Sequence, residues 1–251
     1  MLKLRIIPTL LYKNLKLVKG INFNSWRTVG SIMQAIRVYN LRKVDEIILL
    51  NISATNEKKK IDLELVNEVA NECFMPLTVG GGINTIEDIS SLLKAGADKV
   101  CINTAAINNI KFIEDACKIF GSQCIVVSID YKHQNNIIKI FSNSGTIKKE
   151  ILLKDHLINL EKIRVGEIML TSIDNDGTMD GYDIETLKFA SNLINVPLIA
   201  SGGAGNLEDM LNLVKQTEVS ALSASSIYHF TKKTPLDIKK FFIKNKIPVR
   251  I

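Results

Sequence analysis

Val79-Gly80-Gly81-Gly82-Ile83 closes a short apolar run with a glycine cluster, and Ala200-Ser201-Gly202-Gly203-Ala204 repeats the arrangement 121 positions later. The same offset relates Val44-Asp45-Glu46-Ile47-Ile48-Leu49 to Val165-Gly166-Glu167-Ile168-Met169-Leu170, and Thr104 to Ser225. Around these pairs, eight short Ile- and Val-rich runs recur: 5–10, 46–52, 76–79, 99–102, 124–129, 167–172, 197–200 and 219–223. They are continuous rather than alternating, as suits parallel strands covered on both faces. Between them lie stretches of helical period. In 85–95, Ile86, Ile89, Leu92 and Leu93 share one face, Asp88 lies in the first turn, Lys94 in the last, and Gly96 closes the helix. Residues 206–216 repeat that design with Leu207, Met210, Leu211 and Val214 inward. Eight strand–helix units without a linker predict α/β architecture: a single closed (β/α)8 barrel over 1–251, built of half-barrels of about 1–121 and 122–251. The rival arrangement is a doubly wound open sheet.

The chain has 251 residues, 46% hydrophobic and 23% charged, which supports a sizeable core and excludes disorder and a small disulfide scaffold. No run reaches the roughly 18 apolar residues of a membrane span, and Lys3, Arg5, Lys13 and Lys16 interrupt the N-terminal stretch where a secretory signal needs an apolar centre. Cys73, Cys101, Cys117 and Cys124 form no CxxC pair, and His133, His156 and His229 are far apart. A metal site is therefore not expected, and free thiols fit a cytoplasmic location. The net charge of +6 is scattered, with no run longer than Lys58–Lys60 and no recognition motif, so nucleic acid is not the expected partner. An anionic small-molecule substrate accounts equally well for a mild positive excess.

A glycine cluster just past a strand lets backbone approach an anion closely, and the helix that follows offers free N–H groups and a positive dipole end. The sequence places such clusters twice, each answered by a small hydroxyl-bearing loop after the next strand: Asn103-Thr104 and Ala224-Ser225-Ser226. Two such cradles across a barrel mouth predict a long ligand with a phosphate at each end; a plain tight turn is the bland alternative. One segment breaks the strand–helix rhythm. Residues 135–151 alternate as a hairpin around Asn143-Ser144-Gly145, to be read either as a substrate lid or as surface decoration.

RIIP (5–8), KGINF (19–23), PLTVGGGI (76–83), GADKVCINTAA (96–106), GSQCIVVSID (121–130), TSIDNDGTMDGYD (171–183) and IASGGAG (199–205), in this order, resemble the cyclase-subunit family of imidazole glycerol phosphate synthase, from Leu4 through Arg250. The resemblance implies a (β/α)8 barrel paired with a glutaminase subunit in a heterodimer, with no cofactor. Ammonia freed by the glutaminase crosses the barrel and attacks a bisphosphorylated ribonucleotide at the far face. It also implies phosphate and substrate binding by Gly81, Gly82, Asn103 and Thr104 in one half, and by Thr171, Asp176, Gly177, Gly202, Gly203, Ala224 and Ser225 in the other. Lys19, on a mobile loop after the first strand, and Asn51, after the second, join this set, and Asp174 and Asp180 are retained beside Asp176. Arg5, Glu46, Lys99 and Glu167 match the family's charged ring at the ammonia entrance, each at the opening of a strand, and Asp98 matches the face where the glutaminase docks. From the residues alone, the ring reads equally as an ion-pair plug. Asp176 likewise has a bland reading as a loop cap.

Two positions depart from the family pattern. The chemistry calls for two carboxylates, after the first and fifth strands, acting as general base and acid. Asp130 supplies one; the repeat aligns Leu10-Leu11-Tyr12-Lys13 with Ile129-Asp130-Tyr131-Lys132, so the other position holds Leu11. Leucine neither takes nor gives a proton, so cyclisation is expected to slow by about 10²–10⁴-fold. Asn51 stands where the family has aspartate, keeping shape but not charge. Three explanations of Leu11 follow. The first is a diverged paralog passing ammonia to another acceptor, as in relatives that resemble ammonia suppliers for sugar acetamidino groups in surface-glycan biosynthesis. The second is a genuine but impaired cyclase of histidine biosynthesis. The third is a non-catalytic scaffold that activates its glutaminase. Two rivals share the cradles: the sister isomerase, which needs both carboxylates and no gate, and a sugar-phosphate binding barrel, which gains nothing from the charged ring.

Overall fold

A computed structural model describes residues 3–42, 44–135 and 137–250. Positions 1, 2, 43, 136 and 251, which include both ends of the expected 1–251 span and Asn136 of the expected hairpin, lie outside the described residues. In chain order the strands are β1 (Arg5–Lys13), β2 (Lys16–Ile21), β3 (Asn24–Ser31), β4 (Ile47–Asn51), β5 (Leu77–Gly80), β6 (Lys99–Ile102), β7 (Ile125–Gln134), β8 (Ile137–Ser142), β9 (Ile147–Leu152), β10 (Glu167–Ser172), β11 (Leu198–Ser201) and β12 (Ala221–Ala224). The helices are α1 (Ile32–Leu41), α2 (Leu63–Glu72), α3 (Ile86–Lys94), α4 (Thr104–Asn108), α5 (Ile110–Phe120), α6 (Leu153–Ile163), α7 (Ile184–Leu193), α8 (Leu207–Gln216), α9 (Ser226–Phe230) and α10 (Pro235–Lys244).

Eight strands pair in parallel in the order β1-β4-β5-β6-β7-β10-β11-β12. The ring closes where β12 returns to β1, from Arg5 opposite Ala221 to Pro8 opposite Ala224. The two halves meet there and at the β6–β7 pairing, from Val100 opposite Ile125 to Ile102 opposite Val127. Closure excludes the open sheet and gives the expected (β/α)8 barrel. The apolar runs are continuous because both faces of each strand are buried: one against the outer helices, the other in the bore. The outer core gathers residues such as Leu10, Leu49, Val79 and Leu170, and the bore holds a separate cluster of Ile7, Ile48, Cys101, Val126, Met169, Ile199 and Ala221.

Local signals explain the helix ends. Thr85 and Asp88 form a reciprocal capping box on α3, and Asn206 and Asp209 form its counterpart on α8. The inward face of α8 also includes the fully buried Leu213, beyond the four apolar positions of the helical pattern. At the barrel bottom, Asp45 accepts a hydrogen bond from the Ile6 amide at 2.8 Å and an ion pair from Lys239 Nζ of α10, also at 2.8 Å. The last helix is thereby strapped to the first barrel strand.

The strand bounds differ from the apolar runs at several ends. β1 runs on to Lys13 and β7 to Gln134, because both continue past the barrel mouth into antiparallel hairpins. The segment carrying Lys19, expected as a loop, is paired as the β2–β3 hairpin. Its register shifts between Leu17 and Val18 and again between Lys19 and Ile21, which obscures the alternation that would have marked it as a hairpin. The β8–β9 hairpin forms around Asn143-Ser144-Gly145 as anticipated.

Candidate active site

The charged ring lies at the opening of the strands. Arg5 Nη1 is 2.6 Å from Glu46 Oε1 and 2.6 Å from Glu167 Oε1; Lys99 Nζ is 2.9 Å from Glu46 Oε2 and 3.1 Å from Glu167 Oε1. Glu46 sits one residue before β4 rather than in it. Two cations thus alternate with two anions across the barrel floor. Burial disfavours the Arg5 charge, but Glu167 and Glu46 overcome it and hold the guanidinium firmly protonated. Glu167 Oε2 is buried without a hydrogen-bond partner among the described residues. Asp98, on the same end, is exposed, and its carboxylate accepts from the Leu77 amide at 2.8 Å.

At the opposite end a cavity of about 140 Å³ opens between the strand C-termini. It gathers Leu11, Lys19, Asn51, Gly81, Gly82, Asn103, Thr104, Asp130, Thr171, Asp176, Gly177, Gly202, Gly203, Ala224 and Ser225, every cavity residue singled out from the sequence. Gly81 and Gly82 have φ of +109° and +71°, Gly202 and Gly203 of +93° and +105°. A Cβ on Gly203 would stand 2.0 Å from the Gly181 carbonyl, and one on Gly82 would stand 2.7 Å from the Lys59 carbonyl, so both turns require glycine. The side-chain hydroxyls of Thr171, Ser225 and Ser226 line the same space, buried and without partners among the described residues. Buried hydroxyls of this kind are sites for a ligand's acceptor oxygens.

The helix ends contribute less than expected. Asp88 Oδ2 accepts from the amides of Asn84 and Thr85, and Asp209 Oδ2 accepts from that of Asn206. Capping carboxylates therefore take part of the amide supply at the starts of α3 and α8. The glycine turns and hydroxyls line the cavity beside the starts of α4 and α9, where Asn103 and Ser225 make no side-chain cap bond.

Asp130 ends the inward run of β7. Its carboxylate meets Asn103 Nδ2 at 3.3 Å and Ser128 Oγ at 3.4 Å. Burial, reinforced by the nearby charge of Asp176 and opposed by the Ser128 hydroxyl, pushes its pKa up to about 7. Such a group exchanges a proton readily at neutral pH. Leu11, in β1, lines the cavity with its side chain nearly buried, so an apolar wall stands on the β1 side of the mouth. Asn51 serves its own loop: Oδ1 accepts from the amides of Ser53 and Ala54, both at 3.1 Å. That work needs a carbonyl oxygen and no charge, which is why asparagine suffices.

Lys19 is 1% exposed and its ammonium lies 2.8 and 2.7 Å from the two oxygens of Asp176. Asp176 is thus an ion-pair partner rather than a loop cap. Asp174 accepts from the His133 amide at 2.8 Å, and Asp180 is exposed. The sequence reading passed over Phe23, Trp26 and Ser144, hairpin residues brought to the cavity, and Thr9, Ser201 and Ser223, whose hydroxyls form a chain in the upper bore (Thr9–Ser223 2.7 Å, Ser223–Ser201 3.4 Å). The KGINF and NSG motifs mark Phe23 and Ser144, whereas Trp26 lies in neither motif and the hydroxyl chain requires the closed ring.

Over residues 5–233 the chain matches the family described as "Histidine biosynthesis protein". It is 43% identical over 249 residues, 98% of each chain, to imidazole glycerol phosphate synthase subunit HisF of Clostridium botulinum. The subunit HisF of Dictyoglomus thermophilum is 46% identical over 252 aligned positions, covering both chains fully. A Campylobacter jejuni protein named as subunit hisF2 is 42% identical over 251 residues, again the full length of both. With a closed barrel, a cavity at its C-terminal mouth and full-length likeness at this level, the chain belongs to the HisF family, the cyclase subunits of imidazole glycerol phosphate synthase.

Proposed function

We propose that this chain is the barrel subunit of a glutamine-dependent synthase: a partner glutaminase docks at the floor around Asp98, and ammonia passes the ring of Arg5, Glu46, Lys99 and Glu167 to a phosphorylated acceptor at the mouth. One observation carries the reading. Two glycine cradles of equal spacing face each other across a single cavity, directly above a bore whose floor is an ion-pair ring. A plain binding barrel has no need of that floor. The glycine turns, Asn103, Thr104, Thr171 and Ser225 hold the acceptor's anionic ends, and Lys19 closes over it from the hairpin. Asp130, poised near pH 7, relieves the attacking nitrogen of a proton or supplies one to the leaving group.

With Leu11 opposite, one carboxylate does the work of two. This favours a diverged acceptor, the phosphorylated precursor of an acetamidino-bearing surface sugar, over the usual cyclisation. The presence of a relative named hisF2 supports a second copy with a separate task. The second reading is a genuine cyclase of histidine biosynthesis with altered acid–base chemistry. It is favoured by the intact cradles, the retained Lys19 and the names of most relatives. The deciding experiment is to purify the chain with a candidate partner glutaminase. Glutamine hydrolysis and turnover of the aminoimidazole-carboxamide ribonucleotide are then assayed with and without ammonium salt. Stimulated hydrolysis with weak cyclisation supports the first reading, and full cyclisation supports the second. No complex and no stimulation overturn the ammonia route.

A further inference from the structure

β7 runs on past Asp130, and its side chains diverge there. Asp130 lines the cavity, while Tyr131 and His133 reach the start of α7. Both rings meet the same carboxylate. Tyr131 donates its hydroxyl to Asp183 Oδ2 at 2.9 Å, and His133 Nε2 lies 2.7 Å from that oxygen. A carboxylate only accepts, so Nε2 carries the proton and donates. The two rings also stand edge to face, with centroids 6.1 Å apart. Asp183 in turn caps α7, accepting from the Thr186 amide at 3.1 Å. Burial alone would raise its carboxyl, yet the bonds from His133, Thr186 and Tyr131 hold it below its ordinary range.

The same strand end grips the other foot of one loop. The His133 N–H donates to Asp174 Oδ2 at 2.8 Å, and the Tyr131 carbonyl accepts from the Ile173 N–H at 2.9 Å. Residues 174–183 are thus fastened at both feet to the strand that carries Asp130, and Asp176 and Gly177 between them line the cavity. The first half has similar residue types without the clamp. Tyr12 and Asp62 lie 119 and 121 positions before Tyr131 and Asp183, but Asn14 takes the place of His133, in a turn at φ +49°. Asp62 is exposed and accepts from the amides of its own helix, Glu64 and Leu65. Capping a helix therefore does not require the clamp, which belongs to the half that supplies Asp130.

We propose that Tyr131 and His133 are positioning residues: through Asp174 and Asp183 they fasten the 174–183 loop to β7 and so fix the separation of the Asp176 and Asp130 carboxylates. The inference deepens the proposed function, resting on Asp130 as its proton-transfer group. The titratable residues that line the cavity with Asp130 are Lys19, Cys101 and Asp176. Its hydrogen-bond partners Asn103 and Ser128 carry no charge. Of these groups the loop carries Asp176. A loosened loop lets Asp176 recede, and its like charge then weighs less on Asp130.

The test follows the Asp130 carboxyl by 13C NMR titration of the full chain without ligand. His133→Ala and Tyr131→Phe are each expected to lower its midpoint by about 0.5 pH unit, the change when a like charge a few ångströms away recedes by about 2 Å. His133→Gln, whose side-chain amide can donate to the same oxygen, should keep the parent midpoint. In an Asp176→Asn background the His133→Ala shift should vanish. An unmoved midpoint in either clamp variant overturns the proposal. So does a glutamine variant that moves as far as the alanine one, or a full shift that persists in the Asp176→Asn background. The carboxyl titration needs no acceptor molecule, so it stands apart from the underlying reading. That reading is tested by turnover of the aminoimidazole-carboxamide ribonucleotide with ammonium salt, whose pH profile should move with the Asp130 midpoint. A profile that stays while the carboxyl moves leaves the clamp standing and overturns Asp130 as the proton-transfer group.

Discussion

The Lys19 ammonium is clasped by both oxygens of Asp176, at 2.8 and 2.7 Å, although the two residues lie 157 positions apart on opposite halves of the barrel. The pair closes the first hairpin across the mouth and neutralises two charges that both line the cavity. An anionic ligand must therefore compete with Asp176 for Lys19.

Breaking one side of a buried ion pair costs more than removing both, because an uncompensated charge is left behind. Lys19→Met is expected to destabilise the chain by about 3 kcal/mol. The double variant Lys19→Met/Asp176→Leu should recover part of that loss. Urea unfolding of the four-member cycle measures it; additive effects would show that the pair is not coupled.

Asp130 ionises near its usual 3.8 when unfolded and near about 7 when folded. Between those values the folded chain holds a proton that the unfolded chain has lost, so this group's contribution falls as pH rises, by about 1.4 kcal/mol per unit. His156, lowered by burial from 6.5 to about 4, acts oppositely: between those values only the unfolded chain is protonated, and stability rises with pH. The two contributions oppose each other over the shared window. Asp130→Asn removes the first, so acidification below about pH 6.5 should destabilise the variant more steeply than the parent. Thermal unfolding across pH 4–7 reads the difference, and parallel curves would refute the assignment. Asp176→Asn, which removes a nearby negative charge, should move the Asp130 titration downward.

Leu11→Asp places a second carboxylate at the cavity wall. If the remaining machinery is that of a cyclase, turnover of the aminoimidazole-carboxamide ribonucleotide with ammonium salt should rise by about 10²–10⁴-fold. An unchanged rate would show that the acceptor itself has diverged.

Gly203→Ala drives a methyl group against the Gly181 carbonyl at a φ of +105°. The expected outcome is a stability loss of about 2 kcal/mol or more together with loss of phosphate binding at that cradle. Calorimetry with inorganic phosphate checks the second effect, and retained affinity would remove Gly203 from the site.

The barrel was legible in the letters because its signals are local and repeated. Buried parallel strands need apolar runs on both faces, tight anion-approaching turns need glycine, and helix starts need capping pairs such as Thr85 with Asp88. A chain of two similar halves states each signal twice, which is why the paired glycine turns and the strand-opening positions Glu46 and Glu167 are legible in the letters. The hairpins and helix ends were less legible. The register shifts of β2–β3 hide its alternation, and capping by Asp88 and Asp209 takes up amides that sequence reasoning left free.

What only the closed ring decided are relationships between residues remote along the chain: Lys19 with Asp176, the hydroxyl chain from Thr9 through Ser223 to Ser201, and two hairpin tips meeting over one cavity. The physical reason is range. Propensity, periodicity and turn chemistry act over a few neighbours, whereas desolvation and charge pairing depend on everything within several ångströms in space. Burial thereby lifts the Asp130 pKa to about 7, and charge pairing joins Lys19 to Asp176 across the mouth.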